Sequence, residues 1–325
     1  MIATAAIIIC THNRATSLRQ TLESLEQMAS PEGVSWAIVV INNACTDATP
    51  EVAKEFTPRL PIRYMVHPEP GKWGALNAAI EAIDASLILL TDDDVDVEKA
   101  WAQEILSAAE RHPECDAFGG KIIPRWEDRP PPKWMLEHEH GLLRGVAVSY
   151  DLGENERRIV TRADAFYGAN MAIRRTVFVE GYRFPDSLGP RGKERAPHGE
   201  TGLVGRLLQN GKKGLYVPTA VVFHRNRADR ATERWVRTWY KGNGVSEARS
   251  GQVKSSSHLW FSIPRYLWRN LVESTLRYGL TRWTCSSSVW LRHEIDMATT
   301  WGAMIEIRRQ IRLNNRGPKE DNEEG

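Results

Sequence analysis

Leu87-Ile88-Leu89-Leu90-Thr91-Asp92-Asp93-Asp94-Val95 joins an unbroken apolar run to three consecutive aspartates. A short, continuously apolar segment of this kind reads as a strand buried on both faces of a parallel sheet. Ligands of such sheets gather beyond the carboxyl ends of the strands, which is where the aspartates stand. Three similar runs precede this one, giving strand candidates at 5–10, 36–41, 62–66 and 86–91. Helical spacing fills the gaps between them. Leu18, Leu22, Leu25 and Ala29 recur at that spacing, with Thr16 or Ser17 available as N-cap, and Leu76, Ala79, Ile80 and Ile83 mark another helix. Asp47 followed by Pro50 opens a third, because proline is tolerated in a first turn. The resulting β-α-β-α-β-α-β order predicts an α/β fold.

Further along, the pattern predicts a helix near 97–111, with Asp96 and Glu98 as its capping acids, and a strand near 116–123. Pro124–His140 contains Pro130-Pro131-Pro132, which excludes a central strand or helix interior, so this stretch reads as a flap beside the strand ends. Its Trp126, Trp134 and His138 are candidates for contact with a ligand at those ends. A strand near 164–173, a helix near 200–209 and a strand near 214–223 complete a first domain, 1–228. From 229 to 316 the pattern turns helical, basic and tryptophan-rich, and 317–325 reads as a disordered acidic tail.

Charge follows this division. Residues 225–316 carry 17 Arg or Lys against 7 Asp or Glu, and seven of the twelve tryptophans, whereas residues 1–224 carry 25 against 30. Basic helices interleaved with aromatics suit a membrane surface or another acidic partner. They equally suit helices whose tryptophans pack as core, since periodicity does not separate the two. No apolar stretch approaches the roughly 20 residues of a bilayer span, and the N-terminus lacks signal-peptide features, so a cytoplasmic location is expected. Cys10, Cys45, Cys115 and Cys285 are scattered without metal or disulfide spacing, and each reads as a small buried residue.

The strand ends carry the chemistry: Thr11-His12-Asn13-Arg14, Asn42-Asn43-Ala44, His67 to Lys72, and Thr91 to Asp94. Clustered carboxylates repel one another unless a cation joins them, and hard oxygen ligands suit Mg²⁺ or Mn²⁺ with substrate phosphates. Lys72 lies in a glycine-flanked turn before a helix, either as part of a diphosphate cradle or as a solvated lysine. His224 ends an apolar strand, and a metal site at the aspartates gives its imidazole a use. Glu200 opens a helix, where the dipole alone favours a carboxylate.

Taken together, these motifs resemble the family 2 glycosyltransferases. Ile8 to Arg14 is similar to that family's opening strand and turn, Val39 to Thr49 to its nucleoside-binding turn, and Thr91 to Asp94 to its D-x-D motif. Gly168 to Arg175 and Leu188 to Gly192 continue the likeness, which covers about 1–245. The resemblance implies a GT-A fold, a Rossmann-like mixed sheet flanked by helices, here with a helical basic C-terminal extension. It implies inverting transfer of a sugar from a nucleotide diphosphate to a hydroxyl acceptor in glycan or polysaccharide assembly, with Mn²⁺ or Mg²⁺ as cofactor. Thr11, Asn13, Arg14, Asn42, Lys72, Asn77, Asp92 and Asp93 then fall at the nucleotide-sugar site, and Asp94 and His224 at the metal.

Two positions depart from the family pattern. Asn42 stands where the family has Asp, which leaves the nucleotide base open. Gly199-Glu200-Thr201 replaces Gly-Glu-Asp, so the general base is Glu200, or, in the alternative register, its position is held by Thr201. A lipid-linked or glycan acceptor and a peripheral place on the inner membrane face fit the basic extension, and no nucleic-acid module accompanies it. The rival readings are a sugar-phosphate nucleotidyltransferase, which lacks its arginine-containing glycine-rich loop here, and a catalytically silent nucleotide-sugar-binding scaffold.

Overall fold

A computed structural model describes residues 2–185 and 199–314 of the chain. The Leu188–Gly192 motif and the acidic tail lie outside the described residues. Those described divide into two units, one running to Ala231 and the other starting at Thr232.

The first unit begins as the apolar runs predict. Strands β1 (Thr4–Thr11), β2 (Ser35–Asn43), β3 (Ile62–His67) and β4 (Leu87–Asp92) alternate with helices α1 (Ala15–Glu26), α2 (Thr49–Phe56) and α3 (Lys72–Ala82). They are followed by β5 (Val95–Val97), α4 (Trp101–Arg111), β6 (Ala117–Trp126), α5 (Lys133–Leu136) and α6 (Arg144–Ala147). β7 (Arg157–Ile159), β8 (Met171–Arg174), α7 (Arg175–Val179), α8 (Gly199–Gln209) and β9 (Gly214–Asn226) complete the unit. One sheet runs β3-β2-β1-β4-β8-β6-β9-β5, with β7 on β9. The pairs β1–β2, β1–β4, β2–β3 and β6–β9 are parallel, while β8 runs antiparallel between β4 and β6, making the sheet mixed. Helices flank it, and Ile7, Ile8 and Ile9 of β1 with Leu87 and Ile88 of β4 are fully buried at its centre.

Several local expectations are corrected. Neither Thr16 nor Ser17 caps α1: its first free amide, that of Ala15, donates to Asp47 Oδ2 at 2.8 Å, while Ser17 Oγ donates to the Asp93 carbonyl. Asp96 and Glu98 do not cap α4, whose N-cap is Ala100; Asp96 instead accepts from Arg125 and Arg225. The strand expected near 164–173 is confined to Met171–Arg174, because Gly168–Asn170 forms a tight 3₁₀ turn. Of the cysteines only Cys115 is buried; Cys285 is exposed and the other two are half-buried.

The second unit consists of α9 (Glu233–Arg249), a hairpin of β10 (Leu259–Trp260) and β11 (Ile263–Pro264), α10 (Arg265–Thr281) and α11 (Ser287–Asn314). Gly244 of α9 and Gly302 of α11 let these helices touch backbone to backbone. A Cβ on Gly244 would drive into the Thr299 carbonyl, and one on Gly302 into that of Lys241. No helix among the described residues is long and apolar enough to cross a membrane.

Candidate active site

The order β3-β2-β1-β4 reverses direction between β1 and β4, so the carboxyl ends of these two strands open on the crevice where α/β sheets bind ligands. Asp92 ends β4 in register with Cys10 of β1. Its Oδ1 accepts a hydrogen bond from Lys72 Nζ at 2.6 Å, and the same ammonium reaches Glu200 Oε1 at 3.2 Å. Desolvation works to lower the Lys72 pKa, but the Asp92 and Glu200 carboxylates outweigh it and raise it above the ordinary amine range. Lys72 is therefore a fixed positive charge between two carboxylates.

The next two aspartates face different ways. Asp93 turns inward, where its carboxylate accepts from Thr11 Oγ1 at 2.7 Å and from Arg14 Nη1 at 2.8 Å. Asp94 turns toward β9. Its Oδ1 lies 3.2 Å from His224 Nε2, and its Oδ2 accepts from Arg14 at 2.9 Å and Arg230 at 3.1 Å. Burial pushes the Asp94 carboxyl up, but His224, then Arg230 and Arg14, hold it well below the usual carboxylate range. The long strand β9 delivers the histidine from 130 residues away in sequence, through pairing of His224 with Val95 on β5 and Pro124 on β6. The flap expected over 124–140 is shorter than its sequence suggests: β6 runs through Pro124 to Trp126 in register with β9, Lys133–Leu136 is a short helix, and Trp126 Nε1 ties the strand end to Glu139 at 2.9 Å.

Asp92, Asp94 and His224 each present a ligand atom within 4.8 Å of the others. Two carboxylates and an imidazole are a donor set suited to Mn²⁺ or Mg²⁺, and His224 Nδ1 is buried without a hydrogen-bond partner among the described residues. These residues fit a divalent cation. Asp93, spent on Thr11 and Arg14, is not placed to join them.

The remaining expected residues are distributed around this centre. Asn13, at φ 53°, accepts from the Thr46 amide and hydroxyl and so joins the β1 turn to the β2 turn. Asn42 accepts from the Cys45 amide at 2.7 Å and donates to the Tyr64 hydroxyl at 2.6 Å, so both ends of its amide build the turn. Asn77 is not brought to the aspartates: its amide exchanges two hydrogen bonds of 2.9 Å with the Phe184 backbone. Cys10, next to Asp92 in register, stays a thiol, since burial pushes its pKa up to about 12.

Sequence reading missed Arg225 and Arg230. The buried Arg225 guanidinium donates to the Ser17 and Asp93 carbonyls, to Thr21 and to Asp96, clamping the end of β9 to α1 and the aspartate turn. Their only sequence signal is their place just after His224. Small residues complete the packing: a Cβ on Gly168 would lie 2.5 Å from Glu200 Oε1, and one on Gly199 would enter the Trp73 ring. Trp73 stacks on Phe184 at 5.4 Å and carries Lys72 over its ring.

The chain that builds this switch-point crevice also has a recognisable family. Residues 6–180, more than half of the chain, match the family described as Glycosyl transferase family 2. The chain belongs to the family 2 glycosyltransferases. Over 159 residues it is 24% identical to the Glucosyl-dolichyl phosphate glucuronosyltransferase of Haloferax volcanii, an alignment covering 48% of this chain and 49% of that one. The chain spans about half the length of the curated relatives it matches. Among solved structures, the mannosyltransferase PcManGT of Pyrobaculum calidifontis, in complex with GDP-Man and Mn²⁺, superposes with a TM-score of 0.57 at 16% identity, covering 97% of this chain and 88% of that one. TarS 1-349 of S. aureus, in complex with UDP-GlcNAc, gives 0.51 at 12% identity, with 94% and 92% covered. At these identities the likeness shows the fold, a GT-A arrangement. Membership of this family displaces the nucleotidyltransferase reading.

Proposed function

We propose that this enzyme is a metal-dependent inverting glycosyltransferase, taking a sugar from a nucleoside diphosphate donor to a hydroxyl of a glycan or lipid-linked acceptor, with the chemistry in residues 1–228. The observation that carries this is the convergence of Asp92, Asp94 and His224 within 4.8 Å, beside a lysine shared by Asp92 and Glu200. A divalent cation held by those three residues supplies positive charge where the departing diphosphate develops negative charge. Lys72 adds its own charge to the same oxygens. Thr11, Asn13, Asn42 and Asp93 shape the turns that receive the nucleoside, and Arg14 links Asp93 to Asp94.

Glu200 takes the proton of the acceptor hydroxyl. Its position in the first turn of α8, with the carboxylate at Lys72, supports it over Thr201, which is nearly buried. Attack by the deprotonated acceptor hydroxyl on the face opposite the leaving diphosphate gives inversion at the sugar carbon. The names of the relatives, one acting on a dolichyl phosphate and two bound to GDP-Man or UDP-GlcNAc, support the donor and acceptor classes.

A screen of UDP-, GDP- and dTDP-sugars with Mn²⁺ or Mg²⁺, read as thermal stabilisation and donor turnover, tests this reading. We expect one donor class to stabilise the wild type only with metal present, and Asp94→Ala to lose that stabilisation. Stabilisation that survives chelation and Asp94→Ala alike would overturn the metal assignment, and turnover of no donor would favour a silent binder.

A further inference from the structure

The second unit carries an exposed apolar face that its own packing does not explain. One side of α10 is spent inside the unit: Leu267 and Leu271 pack with Ile263 of the hairpin and Met304 of α11, and Ser274 is buried. A helix packed on one side is expected to be polar on the other. Here Val272, Leu276 and Leu280 recur every four residues on the opposite side, all exposed, and Trp283 beyond the helix is 84% exposed. Arg265 and Arg269 share that stripe by helical periodicity and stand at its N-terminal end.

The hairpin extends the same face. Trp260, half exposed, lies under the Arg265 guanidinium at 4.7 Å, and Trp268 donates to the Trp260 carbonyl while its ring meets Phe261. Phe261 at the tip is 80% exposed and has φ 51°, followed by Ser262 at 64°. A two-residue turn with both φ values positive favours Asn or Gly. A phenylalanine there is strained and gains nothing from burial within the chain. Its exposure, the aliphatic stripe and Trp283 form one surface with aromatics at both ends and arginines alongside.

We propose that this face of α10 and the β10–β11 hairpin docks on a lipid bilayer containing anionic headgroups, with the helix lying in the plane of the interface. Charge decides for this occupant: α10 carries Arg265, Arg269 and Arg277, and its one acid, Glu273, is paired with Arg277, so the stripe's own charges are basic. Arginines attract the headgroups while aliphatic and tryptophan side chains enter the acyl boundary. The inference deepens the proposed function and rests on that reading for the sense of a lipid-borne acceptor, whereas its test reads binding alone.

The experiment is flotation of the full chain with vesicles of phosphatidylcholine alone or with phosphatidylglycerol, without donor, acceptor or metal. We expect binding only to the anionic vesicles, weakening as salt rises. Arg265→Gln with Arg269→Gln should reduce partitioning about fivefold per arginine. Leu276→Ser, Leu280→Ser and Trp283→Ser together should reduce it at least tenfold, with the melting temperature unchanged because these side chains are exposed. Absence of wild-type binding, or equal binding by the variants, overturns the proposal. So does a dimer in solution that the triple variant dissociates, since the face would then belong to a second copy. A chain that binds vesicles yet turns over no donor refutes the proposed function and leaves this inference standing.

Discussion

Gly168 shows how closely the candidate base is fitted. It stands in the turn before β8, and an added Cβ meets the Glu200 side chain, at Oε1 and Cγ, rather than backbone. The whole Glu200 side chain must turn aside to another rotamer, and it can do so only by leaving Lys72. Gly168→Ala is therefore expected to fold with a stability within about 1 kcal/mol of wild type while turnover falls at least tenfold, measured by melting and by initial rates. Unchanged turnover would separate the present Glu200 position from catalysis. The three aspartates show what a sequence withholds at this scale. Asp92, Asp93 and Asp94 are equivalent as letters, yet one holds a lysine, one is spent on Thr11 and Arg14, and one meets His224. Only the turn after β4 decides which is which. Asn77 likewise reads as a polar residue on a suitable helix, and its engagement with Phe184, 107 residues away, leaves no local trace.

Among the elements, α9 and α11 depend on two glycines that mid-helix propensity would count as defects. Gly244→Ala or Gly302→Ala must force the helix backbones apart, and each is expected to destabilise the second unit by about 1–3 kcal/mol, read from chemical denaturation. α11 also buries Glu294, whose carboxylate oxygens accept no hydrogen bond among the described residues and whose nearest cation is Arg237 at 3.4 Å. Burial first, with Glu233 adding and Arg237 and Arg282 opposing, pushes its pKa up from 4.5 to about 7. The unfolded chain thus releases this proton before the folded one does. The group's effect is nil below about 4.5, becomes destabilising as pH rises, and is complete above about 7, at no more than about 3 kcal/mol. Glu294→Gln should raise the melting temperature at pH 8 and confer no gain at pH 4.5. A gain independent of pH would mean that Glu294 is not the titrating group.

Across the whole molecule, most of the parallel half of the sheet was legible because strands buried on both faces show as plain apolar runs: 5–10, 36–41 and 86–91 became Thr4–Thr11, Ser35–Asn43 and Leu87–Asp92, while 62–66, the partly exposed edge strand Ile62–His67, showed only through its β-branched and aromatic residues. The three-residue strands β5 and β7 were not, since so short a run has no pattern of its own. Asp94 and His224 could be proposed as metal ligands through the resemblance to the family, but their approach is a product of β9 threading between β6 and β5, and Arg225 and Arg230 enter only through that topology. The exposed tryptophans of the second unit were equally invisible, because one helical stripe looks the same whether it faces protein or lipid.

The central claim is that one crevice holds the donor through Asp92, Asp94 and His224 and deprotonates the acceptor through Glu200. It is tested most directly by measuring donor affinity and turnover side by side in Glu200→Gln, in the presence of Mn²⁺. Donor binding is expected to stay within a few-fold of wild type while turnover falls by about 10²–10⁴. Turnover within tenfold of wild type would contradict this claim and place the base elsewhere.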